Sequence, residues 1–442
     1  MRTILHGIRS ITLVACLAAW TAGAKAELKP GMVLNQDTWQ QAEGLLPPEV
    51  LKHYKNGEYS NPIVEWKKEH FNWPPDFLEA SKQNEGKYDV DEEGGVIDKQ
   101  TGKRPDVILG FPFPVIDPAD PNAGVKVVWN YFYRTWYCGS LRAESQVNWL
   151  SAKALERRAD IVAQFNFYDG VPLAQRVDNP SNLLSQSLAV VTSPADLNGT
   201  AALSWRYRQA GKRDSAWSFV PALRRVRAVS PANRSDGFLG SDLSQDDGQF
   251  FDGKPEDFTW TLKHKVEELR FADPMNLKGE WKFAPAPGGA GWRVMWPDIA
   301  FVGYMDPSWS GIAWAPRAGA LALRENWVVE GIPRDKYYLF GKLELHIDAL
   351  TYQGAWNRKF SWNGALVNSF QVMSYNPAPV DAGNDKSVYL EGSNMAFICS
   401  ENVSYNRATI GGIKSSPGSG FDFYIKFEPM LFDVNSLSRY GK

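Results

Sequence analysis

The sequence predicts a mainly β, α+β protein built on one large antiparallel sheet, and three observations carry that expectation. β-branched and aromatic residues recur in a long succession of stretches, turn residues separate most of them, and apolar and polar side chains alternate within several. A sheet of that size must bend or close on itself to protect its edge strands.

The chain opens with an export signal. Arg2 and Arg9 supply positive charge, Ile11 to Trp20 is almost wholly apolar, and Ala24-Lys25-Ala26 has the small-x-small pattern of a cleavage site, so residues 1–26 are predicted to be removed and Glu27 to begin a periplasmic protein. The apolar run is too short for a spanning helix, which needs roughly 20 residues. Leu13-Val14-Ala15-Cys16 also fits the pattern before a lipidated cysteine, but cleavage there would leave Leu17 to Trp20 in water. No second long apolar stretch follows.

Composition excludes some functions. The 48 basic and 50 acidic residues are dispersed and leave a net charge of −2, so nothing draws in nucleic acid. The 18 Trp are the unusual feature, fitting either packed sheet faces or a ring-lined apolar cavity. His53, His70, His264 and His346 are scattered without metal-ligand spacing, and neither metal nor cofactor is expected. Cys138 and Cys399 survive processing into an oxidising compartment. A bridge between them is expected, with two buried thiols as the alternative.

Residues 27–107 are polar and broken by Pro and Gly, and read as an N-terminal arm. Short helices are predicted near Thr38 to Leu46, with Asp37 as candidate cap, and Pro48 to Lys55, while Gln83 to Pro105 reads as a surface excursion. Residues 108–442 form the sheet domain. Val125 to Tyr137 is open to either a strand or an apolar helix, and Ser145 to Arg158 carries a helical spacing of Val147, Leu150, Ala154 and Leu155. Strands are predicted at Ile161 to Tyr168, Ser187 to Thr192, Ala201 to Arg208, Ala216 to Val229, Phe258 to Leu269 and Arg293 to Tyr304. Others follow at Ala320 to Val329, Tyr337 to Asp348 and Lys359 to Ser374, with two or three between Asn394 and Phe432. Leu203, Trp205 and Tyr207 share one face of their strand and oppose Ser204, Arg206 and Arg208. Leu343, Leu345 and Ile347 likewise oppose Lys342, Glu344 and His346, so one face of the sheet is dry.

Familiar catalytic signatures are missing: there is no G-x-S-x-G, H-E-x-x-H, phosphate loop or dinucleotide fingerprint. The cluster Asp242 to Asp247 lacks calcium-loop spacing and reads as a solvated loop. Trp217 to Arg227 places Arg224, Arg225 and Arg227 in an aromatic, strand-like stretch. They must reach solvent, the Asp242 to Asp247 carboxylates or an anionic ligand.

That segment, with Gly110-Phe111-Pro112-Phe113-Pro114, Asp117 to Pro121 and Lys126 to Asn130, resembles a proteobacterial exported family of unknown function whose members are similar to outer-membrane lipoprotein-sorting (LolA/LolB-like) proteins. Gly237 to Asp242 and Leu345 to Asp348 with Arg358 look like later landmarks of the same family. The resemblance implies a strongly curved open half-barrel wrapped around helices, with an apolar concavity. On that fold Trp205, Tyr207, Leu343 and Leu345 would line or adjoin a cavity, Trp217 and Phe219 would lie beside it, and Arg224, Arg225 or Arg227 would hold an anionic head group. The function expected is a non-enzymatic binder or carrier of a lipid, acyl chain or sterol-like molecule, working with an inner- or outer-membrane transport protein. An envelope scaffold, or a lipid-modifying hydrolase using His264 or His346, is the alternative.

Overall fold

The computed structural model describes residues 28–66, 73–272, 282–288, 290–374, 395–414 and 418–441. The predicted signal peptide and Cys16 lie outside them.

Residues 123–137 resolve into a helix, α3 (Ala123–Trp136), which follows two shorter ones, α1 (Pro48–Lys55) and α2 (Pro75–Gln83). The sequence VKVVWNYFYRTW is apolar around most of its circumference, which suits a helix enclosed on all sides, and nearly every residue of α3 is buried. The neighbouring expectation of a helix over Ser145 to Arg158 is corrected. That stretch belongs to two long strands, β5 (Leu141–Ser151) and β6 (Leu155–Phe167), joined by a tight turn. The spacing of Val147, Leu150 and Leu155 mimics a helix, but alternation of Leu141, Ala143, Ser145 and Val147 with Arg142, Glu144, Gln146 and Asn148 has the period of a strand.

Before them lie two small pairings, β1 (Val33–Leu34) with β2 (Asn61–Pro62) and β3 (Tyr88–Val90) with β4 (Val96–Asp98). The second falls within the predicted surface excursion, yet Tyr88, Val90 and Val96 are buried. After β6 the main sheet adds β7 (Leu183–Ser193), β8 (Ala201–Tyr207), β9 (Ser215–Val220), β10 (Arg225–Val229), β11 (Phe258–Ala272), β12 (Lys282–Pro285) and β13 (Trp292–Met295). The last seven are β14 (Ala320–Pro333), β15 (Lys342–Asp348), β16 (Gly354–Phe360), β17 (Leu366–Ser374), β18 (Met395–Asn402), β19 (Arg407–Gly411) and β20 (Gly420–Phe423). Every pairing in this 16-stranded sheet is antiparallel. Its order runs from β10 through β5, β19 and β15 to β14 and β11, with β20, β13 and β12 branching from β5, and it does not close on itself.

Four predicted strands are shorter than expected or divided, among them Tyr337 to Asp348, which pairs only from Lys342. Ala216 to Val229 is the hairpin β9–β10, folded back at Arg224, whose φ of 47° is left-handed. Only Trp292–Met295 of the stretch reaching Tyr304 pairs as a strand, and Lys359 to Ser374 is split by the Trp362-Asn363-Gly364 turn.

The sheet curves around α3. At one end Gly124 lets the helix approach the backbone of Thr261 and Leu262 on β11, where an added Cβ would stand 2.9 Å away. At the other end Trp136 meets Phe167 of β6, and Tyr133 donates to Asp169 at 3.0 Å. One helix therefore touches distant parts of the same sheet. The N-terminal arm is built into this core: Leu34, Val50, Tyr54, Tyr59 and Ile63 are buried in it, and Val64 donates its N–H to the Leu321 carbonyl at 2.8 Å.

Ion pairs fasten the arm to the sheet. Glu49 pairs with Arg358 of β16 at 2.7 Å, and buried His53 lies 2.7 Å from Glu401 of β18 and 2.8 Å from Glu58. Burial by itself would lower the His53 pKa, but hydrogen bonds to Glu401 and Glu58 outweigh it and raise it to about 9. His346, between Glu268 and Glu344, is raised to about 9 by the same balance. Both values stand above the unfolded one of about 6.5, so the stability from these pairs is complete below about pH 6.5 and is lost as pH rises through about 9. The urea midpoint is expected to fall across that window, and a His53→Gln/His346→Gln double variant to flatten the fall. An equally steep fall in the double variant would assign it to other groups.

The expected bridge between Cys138 and Cys399 is not formed, and both residues are buried thiols. They sit in different surroundings. Cys138, just past α3, lies near Tyr424 and donates its S–H to the Gly139 carbonyl at 3.4 Å, whereas Cys399 on β18 lies near Tyr59 and Glu401, where burial pushes its thiol up. Alkylation of denatured, unreduced protein should label both cysteines, and protection of the pair would contradict this arrangement.

Candidate functional site

The register of β5 to β8 places one alanine from each strand in a single row. Ala143 pairs with Ala163, Ala163 with Ala189, and Ala189 with Ala202. The adjacent row is Leu141, Phe165, Ser187 and Ser204. Four methyl groups side by side leave a trough in the sheet, because larger residues would fill that level themselves.

The segment between β10 and β11 passes over the trough and encloses a half-open cavity of about 210 Å³, bordered there by Phe238, Leu243, Gln245, Gly248 and Asp252. Its walls are mostly apolar, with Ile161 and Phe165 at the side and Ile398, Gly411 and Phe421 beyond. A cavity of about 150 Å³ lined by aliphatic and aromatic groups stays dry and takes up benzene, so this one can hold an apolar group.

Charge gathers at one end. Arg206, pointing inward from β8, meets Asp214 at 2.8 Å and Asp252 at 3.2 Å, and its guanidinium stacks on Phe132 of α3. Arg234 pairs with Asp246 at 2.7 Å, donates to Ser204 at 2.7 Å and reaches Asp252. Just past β8, Arg208 pairs with Asp169 at 2.6 Å. Burial opposes the charge on Asp214, but Arg206 and Arg234 outweigh it and hold its pKa low. For Asp252 burial prevails and its pKa is raised.

None of the nine residues expected from sequence to bind ligand borders this cavity. Trp205 lies on the opposite face, where Leu188, Val190, Ala201, Leu203 and Phe219 are covered by Phe432 and Leu437 of the C-terminal segment. The Trp205 indole packs on Trp217 at 5.2 Å and donates to the Phe432 carbonyl at 3.0 Å. Tyr207 shares that side, capped by the Lys212 ammonium at 3.4 Å. Leu343 and Leu345 belong to the main core with Trp129 and Phe132. Arg224, Arg225 and Arg227 stand exposed on the edge hairpin, with no ion pair to any described carboxylate.

The acidic cluster is also corrected, for it is not a solvated loop. Asp246 and Asp247 are buried, Asp247 pairs with Lys359 of β16, and Asp242 pairs with Arg407 of β19 at 3.1 Å. A second, polar cavity of about 330 Å³ lies beside this loop, with Asp242, Lys359, Asn368, Asn402 and Arg407 in its wall. The two histidines suspected of catalysis do not converge: His264 is exposed on β11, whereas His346 is enclosed between carboxylates. The described residues hold no group of His, Cys, Asp and Glu suited to a metal ion and no helix long and apolar enough to cross a membrane.

Residues 33–280, more than half of the chain, match the family described as protein of unknown function DUF1329. The chain belongs to the DUF1329 family. The match contains α3, β5 to β10, the alanine row and the segment closing the cavity, while Leu345 to Asp348 and Arg358 lie beyond it. Three solved structures are similar at low identity. A domain described as an outer membrane lipoprotein-sorting protein from Vibrio parahaemolyticus is 16% identical with a TM-score of 0.47, covering 72% of this chain and 100% of its own. A DUF1329 family protein from Desulfovibrio piger is 14% identical with a TM-score of 0.46 and the same coverage. A LolA superfamily protein from Nitrosomonas europaea is 11% identical with a TM-score of 0.40, covering 69% of this chain and 94% of its own. Among curated proteins none matches.

The alanine row was legible only in hindsight, since four isolated alanines carry no signal until strand register aligns them. The buried charges make a sharper distinction. Truncating Arg206 to Met leaves Asp214 without its closest cation and is expected to destabilise by about 3 to 5 kcal/mol, whereas Arg225→Gln on the exposed hairpin should stay within about 0.5 kcal/mol. Urea titration of the two variants measures the difference, and equal midpoints would remove the network's structural role.

Proposed function

We propose that this DUF1329 protein binds a hydrophobic molecule in the cavity under the alanine row and serves as a periplasmic binder or carrier. The observation that carries the reading is the register of Ala143, Ala163, Ala189 and Ala202, which leaves an apolar space where a sheet packed only for stability would be filled. Entry of an apolar group is favoured by about 25 cal/mol for each Å² removed from water. The cavity volume of about 210 Å³ is below the roughly 300 Å³ at which drug-sized sites begin, so it suits one alkyl chain or a small ring rather than a two-tailed lipid inserted whole. The signal-like residues 1–26 support export to the periplasm, and transfer to or from a membrane transport partner is the step such a carrier would serve.

Filling the trough tests the reading. Ala163→Phe places a ring in space that is otherwise open, so it should weaken binding of a fluorescent apolar probe about tenfold or more while leaving the thermal midpoint nearly unchanged. Undiminished binding in a folded Ala163→Phe protein would move the site elsewhere. Mass spectrometry of solvent extracts from protein purified out of its own envelope would identify the native ligand.

A further inference from the structure

The charged end of the cavity sets what kind of polar group a ligand can carry there. Each nitrogen of the two guanidinium groups is already engaged. Arg206 gives Nε and Nη2 to Asp214 and Nη1 to Asp252, while Arg234 gives Nε to Asp246, Nη1 to Ser204 and Nη2 to the Asp252 carbonyl. Neither presents an unused fork to a carboxylate or phosphate. Lys254, the next cation, is turned onto the carbonyls of Gln209, Ala210 and Lys212.

Asp252 differs from its neighbours. It borders the cavity, and about 33% of its side chain remains accessible, against 1% for Asp214 and 6% for Asp246. Its Oδ1 accepts from Arg206 at 3.2 Å and its Oδ2 from Arg234 at 3.4 Å, which leaves lone pairs on both oxygens unused. At the charged end, where both guanidinium groups are engaged, the accessible charged group is therefore an acceptor.

We propose that the ligand's polar end is a neutral hydrogen-bond donor, an alcohol rather than a carboxylate or phosphate, received by the Asp252 carboxylate. This rests on reading the cavity as a hydrophobic-ligand site. An anionic head would bring a like charge against Asp252 and find no unused guanidinium fork to hold it bidentately, whereas a hydroxyl donates to an accessible carboxylate and brings no charge to be desolvated. An alkylammonium head would pair with Asp252, but only by carrying a third desolvated cation into a cluster where Arg206 and Arg234 already stand.

Isothermal titration of the mature protein with 1-decanol, decanoate and decylamine separates these cases, because the three share one tail. Decanol is expected to bind about tenfold or more tightly than decanoate. Asp252→Asn keeps an acceptor oxygen but removes the charge, so it should narrow the gap by strengthening decanoate. Decanoate or decylamine binding as tightly as decanol in the wild-type protein overturns the proposal and leaves the cavity reading in place. Binding of none of the three overturns the cavity reading itself. The wild-type series decides even if Asp252→Asn fails to fold.

Discussion

Enclosure of α3 by the sheet is the constraint on which the rest of the structure depends. Trp129, Phe132, Tyr133 and Trp136 are buried along its length, each removing large apolar areas from water and contributing on the order of 1.5 to 3 kcal/mol. A flat sheet could cover only one side of such a helix. The strands from β11 to β8 therefore curl around it, and the sheet stays open because the arm, the C-terminal segment and the segment between β10 and β11 cover what the curl leaves exposed.

Curling brings charged side chains inward with the strands that carry them. Arg206 and Arg208 follow the alternation of β8 into the concavity, where an unpaired guanidinium would be costly, and Asp214, Asp252 and Asp169 meet them there. The segment between β10 and β11 brings Arg234, Asp246 and Asp252 together and lies over the alanine row. The pairing that makes the buried arginines tolerable thus also holds one wall of the cavity in place. Loss of Arg206 would be felt both in stability and at the site.

The cavity sits where the alanine row supplies only methyl groups and the larger side chains of the strands, such as Ile161, Phe165, Ile398 and Phe421, form its sides. On the proposed reading, an apolar trough with engaged arginines and one accessible carboxylate would select first by tail and then against anionic heads. The exposed arginines of the edge hairpin, which looked suited to head-group recognition, stand away from it because Arg224 folds β10 back on β9 at the margin of the sheet.

Several features were legible in the sequence because they depend on local chemistry. The mainly β class, the large antiparallel sheet, most strand positions and the two-faced character of Ala201 to Arg208 all follow from residue type and period two. The family landmarks from Gly110 to Asp242 lie within the matched stretch. What stayed out of reach depends on contacts between distant segments. Alternation separates Leu203, Trp205 and Tyr207 from Ser204, Arg206 and Arg208, but it does not say which set faces inward. Here Leu203 and Trp205 face out because Phe432 and Leu437, more than 200 residues later, cover them, and the arginines face in because carboxylates from three other segments neutralise them. The alanine row exists only through the register of four strands, and the separate surroundings of Cys138 and Cys399 only through the path of the sheet. A strand's period assigns each side chain to a face, and only the packed chain assigns each face its neighbour.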